Sequence, residues 1–157
     1  MEKVLVTGAS GFIALHCISE LLKSGYAVKG SLRDISRKGE VERSILKQVS
    51  IENLEFCELN LLNDDGWNDH LSDCNYLMHL ASPFVLTPPK DEDELVIPAR
   101  EGTLRAIKAA RINKISKIIL ISSMAAVAYA SREKEVYTSE DWSDASLEIG
   151  AYRKSKT

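Results

Sequence analysis

Two side chains near the end of the chain have the types and spacing of proton-transfer chemistry: Tyr152 and Lys156. Four residues apart on a helix, they stand one turn along the axis and about 40° around it from one another. An ammonium beside a phenol favours the phenolate. This draws a tyrosine pKa down from about 10 and suits the group to exchange a proton with a carbonyl or an alcohol. Such a pair also arises by chance on helix surfaces, so it needs company. Ser122 and Ser123 supply some, because they close the apolar run that begins at Lys117. Beyond the carboxyl end of a strand in an open parallel sheet, a serine hydroxyl can hydrogen-bond a substrate oxygen. Small polar residues that merely cap a strand end would read the same way.

A second constellation lies at the other end of the chain. Val4-Leu5-Val6 is a short apolar run, Thr7-Gly8-Ala9-Ser10-Gly11 is a stretch of small residues, and Phe12-Ile13-Ala14 opens a helical pattern. Gly8 and Gly11 let the backbone turn sharply and approach a ligand without a Cβ in the way. The helix N-terminus that follows offers unsatisfied N–H groups and the positive end of its dipole, which together favour a phosphate. The spacing is Gly-x-x-Gly-x-x-Ala, so Ala14 is the small residue that permits close helix–strand packing. A plain tight turn is the competing reading; a strand before it and a helix after it favour dinucleotide binding.

The elements that must position these groups alternate along the chain. Strands are expected at Val4–Val6, Val28–Leu32, Leu54–Leu59, Tyr76–Leu80 and Lys117–Ser122, the last so uniformly apolar that burial on both faces is expected. Helices are expected at Phe12–Lys23, ended by Gly25, at Ser36–Val49, in a short piece opened by Asp64-Asp65-Gly66-Trp67, and from about Asp91 to Asn113. Pro98 should kink that last helix or mark its true beginning. The three prolines between Ala81 and Pro89 make that stretch a loop. After Ser123, Met124–Ala130 is small and apolar, Ser131–Asp144 is polar loop, and Ala145–Thr157 reads as the start of a helix. Five alternations of strand and helix predict an α/β fold, a Rossmann-type, doubly wound parallel sheet.

With 157 residues, 45% of them hydrophobic and a net charge of −3, the chain has the composition of an ordinary globular domain with no basic footprint for nucleic acid or anionic lipid. Cys17, Cys57 and Cys74 are odd in number and far apart. That pattern predicts reduced, buried thiols rather than disulfides or a metal site. No run reaches membrane-spanning length and the first residues lack the apolar core of a signal peptide, so a cytoplasmic location is expected.

The chain resembles the N-terminal part of an extended short-chain dehydrogenase/reductase, of the epimerase/dehydratase superfamily, and within it the dihydroflavonol reductase and cinnamoyl-CoA reductase branch. The resemblance is carried, in family order, by Thr7 to Ala14, His79-Leu80-Ala81-Ser82-Pro83-Phe84, Glu101-Gly102-Thr103-Leu104, Ser122-Ser123, Ser139 to Asp144 and Tyr152 to Thr157. It implies that residues 1–157 form an incomplete NAD(P)-binding Rossmann domain, with the last strands and a C-terminal substrate domain lying outside this chain. It implies that Tyr152 is the general acid, that Lys156 lowers its pKa and binds the nicotinamide ribose, and that Ser123, with Ser122 as the fallback, orients the reacting oxygen. The reduced nicotinamide would deliver hydride to a ketone, aldehyde or thioester. The cofactor would lie against Thr7, Gly8, Ser10, Gly11, Phe12, Ile13, Arg33, Lys38, Asn60, Leu61, Leu80, Ala81 and Ser82, besides Tyr152 and Lys156. His79 is read as ending the fourth strand near the cofactor, without a catalytic role.

The end of the second strand bears on cofactor choice. An acid there binds the ribose 2′-hydroxyl of NAD, whereas a 2′-phosphate needs a cation. The position is Leu32, followed by Arg33, with Arg37 and Lys38 nearby, which favours NADP(H). Asp34, one residue further, would reverse that choice if the register slipped by one. Asn60 stands where the family often has an aspartate near the adenine amine. Pro98 counts against a sugar-nucleotide epimerase. Two functional classes follow: a carbonyl reductase acting on a small molecule, with a homodimer possible, and a dinucleotide-binding sensor without turnover.

Overall fold

The computed structural model describes residues 1–128 and 134–157. Expectations for Met124–Ala130 and Ser131–Asp144 that fall on residues 129–133 lie outside the described residues. Five parallel strands form one sheet: β1 (Lys3–Val6), β2 (Ala27–Leu32), β3 (Leu54–Glu58), β4 (Tyr76–His79) and β5 (Lys117–Leu120), in the order β3-β2-β1-β4-β5. The order reverses at β1, which pairs with β2 on one side through Val4↔Val28 and with β4 on the other through Val4↔Tyr76. That reversal is the switch point at which open α/β sheets place their ligands. The fold is the expected Rossmann type.

The helices are α1 (Phe12–Lys23), α2 (Lys38–Ile45), α3 (Trp67–Leu71), α4 (Asp93–Ile112) and α5 (Ala151–Lys156), with short 3-10 turns at Ile35–Arg37 and Met124–Ala126. The chain divides into two compact units. The first is residues 1–81 with 103–121, and contains the sheet; the second is residues 82–102 with 122–157.

In the sheet unit, one core cluster joins Val4, Val6, Ala14, Ile18 and Val28 to Val41 and Ile45 of α2. Another joins Leu5 and Leu77 to Trp67, Leu71, Ala106, Ala109 and Ala110. Leu5, Ile18 and Leu77 are essentially inaccessible, and burying each contributes about 1.5–3 kcal/mol. The small faces of α4, Ala106, Ala109 and Ala110, let that helix approach the sheet closely.

Most strand and helix ends lie within a residue or two of the expectation, and four differences have a physical reason. Helix α2 stops at Ile45 instead of Val49. Its buried stripe ends there, and Gln48 and Val49 both donate to the Ile45 carbonyl in a closing turn, from which Val49 still packs on the core. Pro98 lies inside α4 and does not mark its beginning. The final helix starts at Ala151, not Ala145, because Gly150 holds φ +84° and ψ 150°, outside the helical region. Asp144 folds the preceding residues into a turn by accepting from the backbone and hydroxyl of Ser146. Lastly, β5 is the edge strand and is not buried on both faces: Ile118, Ile119 and Leu120 are 38%, 43% and 48% exposed.

Candidate functional site

In the sheet unit, the turn after β1 is built by the backbone of its neighbours. Gly8 takes φ +70°, and a Cβ there would lie 3.1 Å from the Ala81 Cα. The position therefore needs both the left-handed conformation and the absent side chain. The Ala9 N–H donates to the Ser31 carbonyl at 2.8 Å, and the Gly8 N–H points to Ser31 Oγ at 3.3 Å. Gly11 N–H closes the turn on the Gly8 carbonyl at 2.8 Å and is the N-cap of α1.

No side chain caps α1 and its first turn carries no acid. Its leading N–H groups and the positive end of its dipole are thus left for an anion, as the sequence implies. Phe12 is 78% exposed, and Ile13, Ser10 and Gly11 are also exposed, while Ala14 is buried against the core. The Phe12 ring stands edge-on to His16, centroids 4.8 Å apart.

The other expected cofactor residues of this unit fall at strand ends. Arg33 and Lys38 are exposed after β2. Asp34 caps the 3-10 turn that separates them, its carboxylate accepting from the Ser36 N–H at 2.9 Å. The hydrogen bonds from Ser36 hold the Asp34 carboxyl below the ordinary aspartate value. Arg37 is paired with Glu40 at 2.9 Å. Asn60 spends its side-chain oxygen on the Leu62 N–H at 3.0 Å, and the Leu61 carbonyl accepts from Arg105 at 2.8 Å. Leu80 and Ala81 both donate their N–H groups to Thr7 Oγ1, at 3.0 and 2.9 Å.

Two residues of this unit were not picked out from the sequence. Gly30 sits mid-strand, where a Cβ would come within 2.9 Å of the Ala9 Cβ. Ser31 holds the turn by both its carbonyl and its hydroxyl. A glycine inside an otherwise regular strand is the signal that was available.

The second unit carries the other set. Ser123 is the N-cap of the Met124–Ala126 turn, its Oγ accepting from the Ala125 N–H at 3.1 Å. Ser143 pins that turn from outside through the carbonyls of Ala125 and Ala126. Helix α5, which carries Tyr152 and Lys156, lies against the same turn. Ser122 is exposed and Ser123 half-buried.

The Tyr152 ring meets the edge of Phe84, centroids 5.5 Å apart at 85°, and Lys156 Nζ stands 5.7 Å from its centre. Burial pulls the Lys156 ammonium below the usual lysine value, against the opposing pull of Tyr152. Phe84 is a further residue whose contact the sequence did not announce. Lys154, on the same helix, is paired with Glu92 at 2.9 Å. Beside Tyr152 a cavity of about 230 Å³ is walled by Val85, Leu86, Pro88, Leu95 and Ile149. Ser82, at the start of this unit, is half-buried. Among the described residues no helix is long and apolar enough to cross a membrane.

Comparison with known proteins agrees with this arrangement. Residues 5–157 match the profile of the 3-beta hydroxysteroid dehydrogenase/isomerase family. Over 142 residues the chain is 34% identical to a cinnamoyl-CoA reductase of Medicago truncatula, covering 88% of this chain and 44% of that one. It is 29% identical to the dihydroflavonol 4-reductase of Zea mays over 90% of this chain and 40% of that one. In structure it matches Gre2 of Candida albicans in complex with NADPH with a TM-score of 0.84 at 28% identity, covering 99% of this chain and 50% of that one. These matches bear out the resemblance to the dihydroflavonol and cinnamoyl-CoA reductase branch. The chain spans half or less of the length of each.

Proposed function

The chain belongs to the 3-beta hydroxysteroid dehydrogenase/isomerase family, and from that premise we propose that it is the cofactor-binding part of an NADPH-dependent carbonyl reductase. In this reading residues 1–157 are the incomplete Rossmann domain, and a substrate domain follows in the complete protein. The observation that carries the proposal is the turn itself: an uncapped, acid-free helix N-terminus behind Gly8 and Gly11, in a chain whose fold matches an NADPH-bound structure.

The N–H groups at the start of α1, with Ser10, Phe12 and Ile13 around them, would hold the pyrophosphate. Asn60, Leu61, Leu80, Ala81 and Ser82 line the dinucleotide. NADPH is favoured over NADH because Arg33 and Lys38 are exposed cations at the end of β2, while the carboxylate of Asp34 is committed to its cap. When bound, the cofactor supplies hydride. The chain's own residues supply the rest: Tyr152 gives a proton to the developing alkoxide, Lys156 binds the ribose, and Ser123 donates a hydrogen bond to the reacting oxygen.

The substrate is a small molecule bearing a ketone, aldehyde or thioester, and the protein works in the cytoplasm. A sensor without turnover has no use for Tyr152, Lys156 and Ser123 together, which favours the enzyme. The test is NADPH and NADH binding followed by oxidation kinetics with a panel of carbonyl compounds, using the complete protein and its Tyr152→Phe variant. We expect tighter binding of NADPH than of NADH, and a fall in kcat of about 10²–10⁴ in the variant, with NADPH still bound. Equal activity of the two proteins would remove Tyr152 from its role. Tight NADPH binding with no carbonyl consumed would favour the sensor.

A further inference from the structure

Thr7 and His79 are buried side by side at the ends of β1 and β4, Thr7 Oγ1 lying 3.0 Å from His79 Nδ1. A hydroxyl has one proton and two acceptor positions. Both acceptor positions of Thr7 are taken, because the Leu80 and Ala81 N–H groups reach its Oγ1 at 3.0 and 2.9 Å. The Thr7 proton is left to donate, and His79 Nδ1 is where it goes. Nδ1 must then be bare, so the ring is neutral and carries its proton on Nε2. Thr103 Oγ1 lies 3.5 Å from Nε2, at the outer limit of a hydrogen bond, and is placed to accept.

We propose that His79 is a positioning residue for the dinucleotide turn: as a neutral ring protonated on Nε2, it orients the Thr7 hydroxyl so that the oxygen clamps the Leu80–Ala81 backbone beside Gly8. The clamp has a definite task. Gly8 and Ala81 approach so closely that a Cβ on Gly8 would lie 3.1 Å from the Ala81 Cα. Thr7 immediately precedes Gly8, and a second bond from the Thr7 N–H to the Met78 carbonyl at 3.0 Å holds its own backbone to β4. One side chain therefore fixes the separation of two backbones whose near contact shapes the turn. Without an acceptor at Nδ1, the buried Thr7 O–H must turn toward another oxygen or stay unpaired, and either outcome loosens the two amides it holds.

The inference relies on the proposed function only where NADPH is the readout, and two other readouts are independent of it. Nitrogen-15 NMR of the labelled chain at neutral pH is expected to show His79 Nε2 protonated and Nδ1 bare; protonated Nδ1, or a doubly protonated ring, overturns the inference. Among variants, His79→Asn keeps an acceptor where Nδ1 was, whereas His79→Gln replaces only Nε2 and His79→Leu replaces neither. We expect His79→Asn to keep slow hydrogen exchange at Leu80 and Ala81 and an NADPH Kd within about twofold of the parent. His79→Gln and His79→Leu should speed exchange at those two amides and weaken NADPH about tenfold, the loss of one hydrogen bond of ordinary strength. Equal behaviour of the Asn and Gln variants, or unchanged exchange in His79→Leu, overturns the proposal. If the parent chain fails to bind NADPH, the proposed function falls, while the NMR and exchange results still decide the role of His79.

Discussion

Of the turns that place a glycine at positive φ ahead of a helix, those at Gly8 and Gly150 are built in opposite ways. Gly8, at φ +70°, is hemmed in by Ala81 and followed by a twelve-residue helix packed on the central strands. Gly150, at φ +84°, has nothing within 4 Å of where a Cβ would stand, and leads into a six-residue helix. The first turn bonds two strands: Ala9 and Gly8 donate to Ser31 of β2, and Thr7 donates to Met78 of β4. The second is held by what α5 touches, namely Phe84 through Tyr152, Glu92 through Lys154 and the turn beginning at Ser123. A helix that short does not hold itself. The turn proposed for the cofactor thus stands on a preorganised sheet end, and the helix proposed for proton transfer on a segment that depends on a few side-chain tethers.

Alanine at the two glycines separates crowding from conformation and gives the largest expected effect. Gly150→Ala pays only for an unfavourable backbone region, about 1–3 kcal/mol. Gly8→Ala pays a comparable strain and must also move the Ala81 backbone, so its loss of stability is expected to exceed that of Gly150→Ala, and NADPH binding should weaken by more than tenfold. Urea unfolding and cofactor titration of the two variants check this. Equal losses would mean that the Gly8 turn is no tighter than the other.

The contrast also explains what could be read in advance. The boundaries of β1 and α1 follow from a short apolar run, a small-residue turn and a 3.6-residue period, all of them local; the structure reproduces α1 at both ends and extends β1 by Lys3 alone. The late helix was drawn through Gly150 because Leu147 and Ile149 extended its apolar pattern, yet Asp144 and Ser146 make a competing turn that the period does not report. The burial expected of β5 failed for another reason. An apolar strand such as Ile118-Ile119-Leu120 records that something covers it, and the described residues leave it at the edge. In the proposed site, residue types drew attention to Thr7, Gly8, Gly11, Tyr152 and Lys156. Phe84 and Ser31 act by contact with residues far away in sequence, which no local pattern encodes, whereas Gly30 left a local signal as a glycine inside a strand.

At the amino end of the strands the sheet has an electrostatic tether of its own, and it offers an intermediate effect. Lys29, almost wholly buried, bonds Asp73 at 2.5 Å and the His70 carbonyl at 3.2 Å, while Lys3 reaches Glu55 at 2.8 Å and Asp73 at 2.6 Å. Burial alone would raise the Asp73 pKa. The hydrogen bonds from Lys29 and Lys3 outweigh it and hold the carboxyl far below the ordinary value; Glu55 is lowered by the same opposition. Groups whose folded pKa is depressed contribute stability that is present above the ordinary carboxylate pKa, about 4, and is lost as pH falls through the folded value. Unfolding free energy is therefore expected to decline from about pH 5 downward, and Lys29→Met should flatten that decline as well as lower stability at pH 7. Urea unfolding between pH 3 and 7 is the check; parallel curves for the two proteins would remove the tether.

The smallest effect is expected where the second unit is held by charge. Lys154 makes a two-oxygen contact with Glu92, at 3.0 and 2.9 Å, with Glu148 3.9 Å away. The bond to Glu92 raises the Lys154 pKa, so this contribution is complete at neutral pH and fades only as pH climbs through the raised value. Glu92→Gln keeps the side-chain shape and removes the charge. Because the Glu92 side chain is about half exposed, screening limits what the pair contributes. The expected result is amide exchange about two- to fivefold faster at Lys154 and Thr157, the helix amides bonded to Gly150 and Arg153, with the sheet amides unchanged. Salt should imitate the substitution in the parent protein and add little in the variant. Exchange that quickens equally in β1 would show that the two ends of the chain do not respond separately, and the contrast between a self-supporting turn and a tethered one would fail.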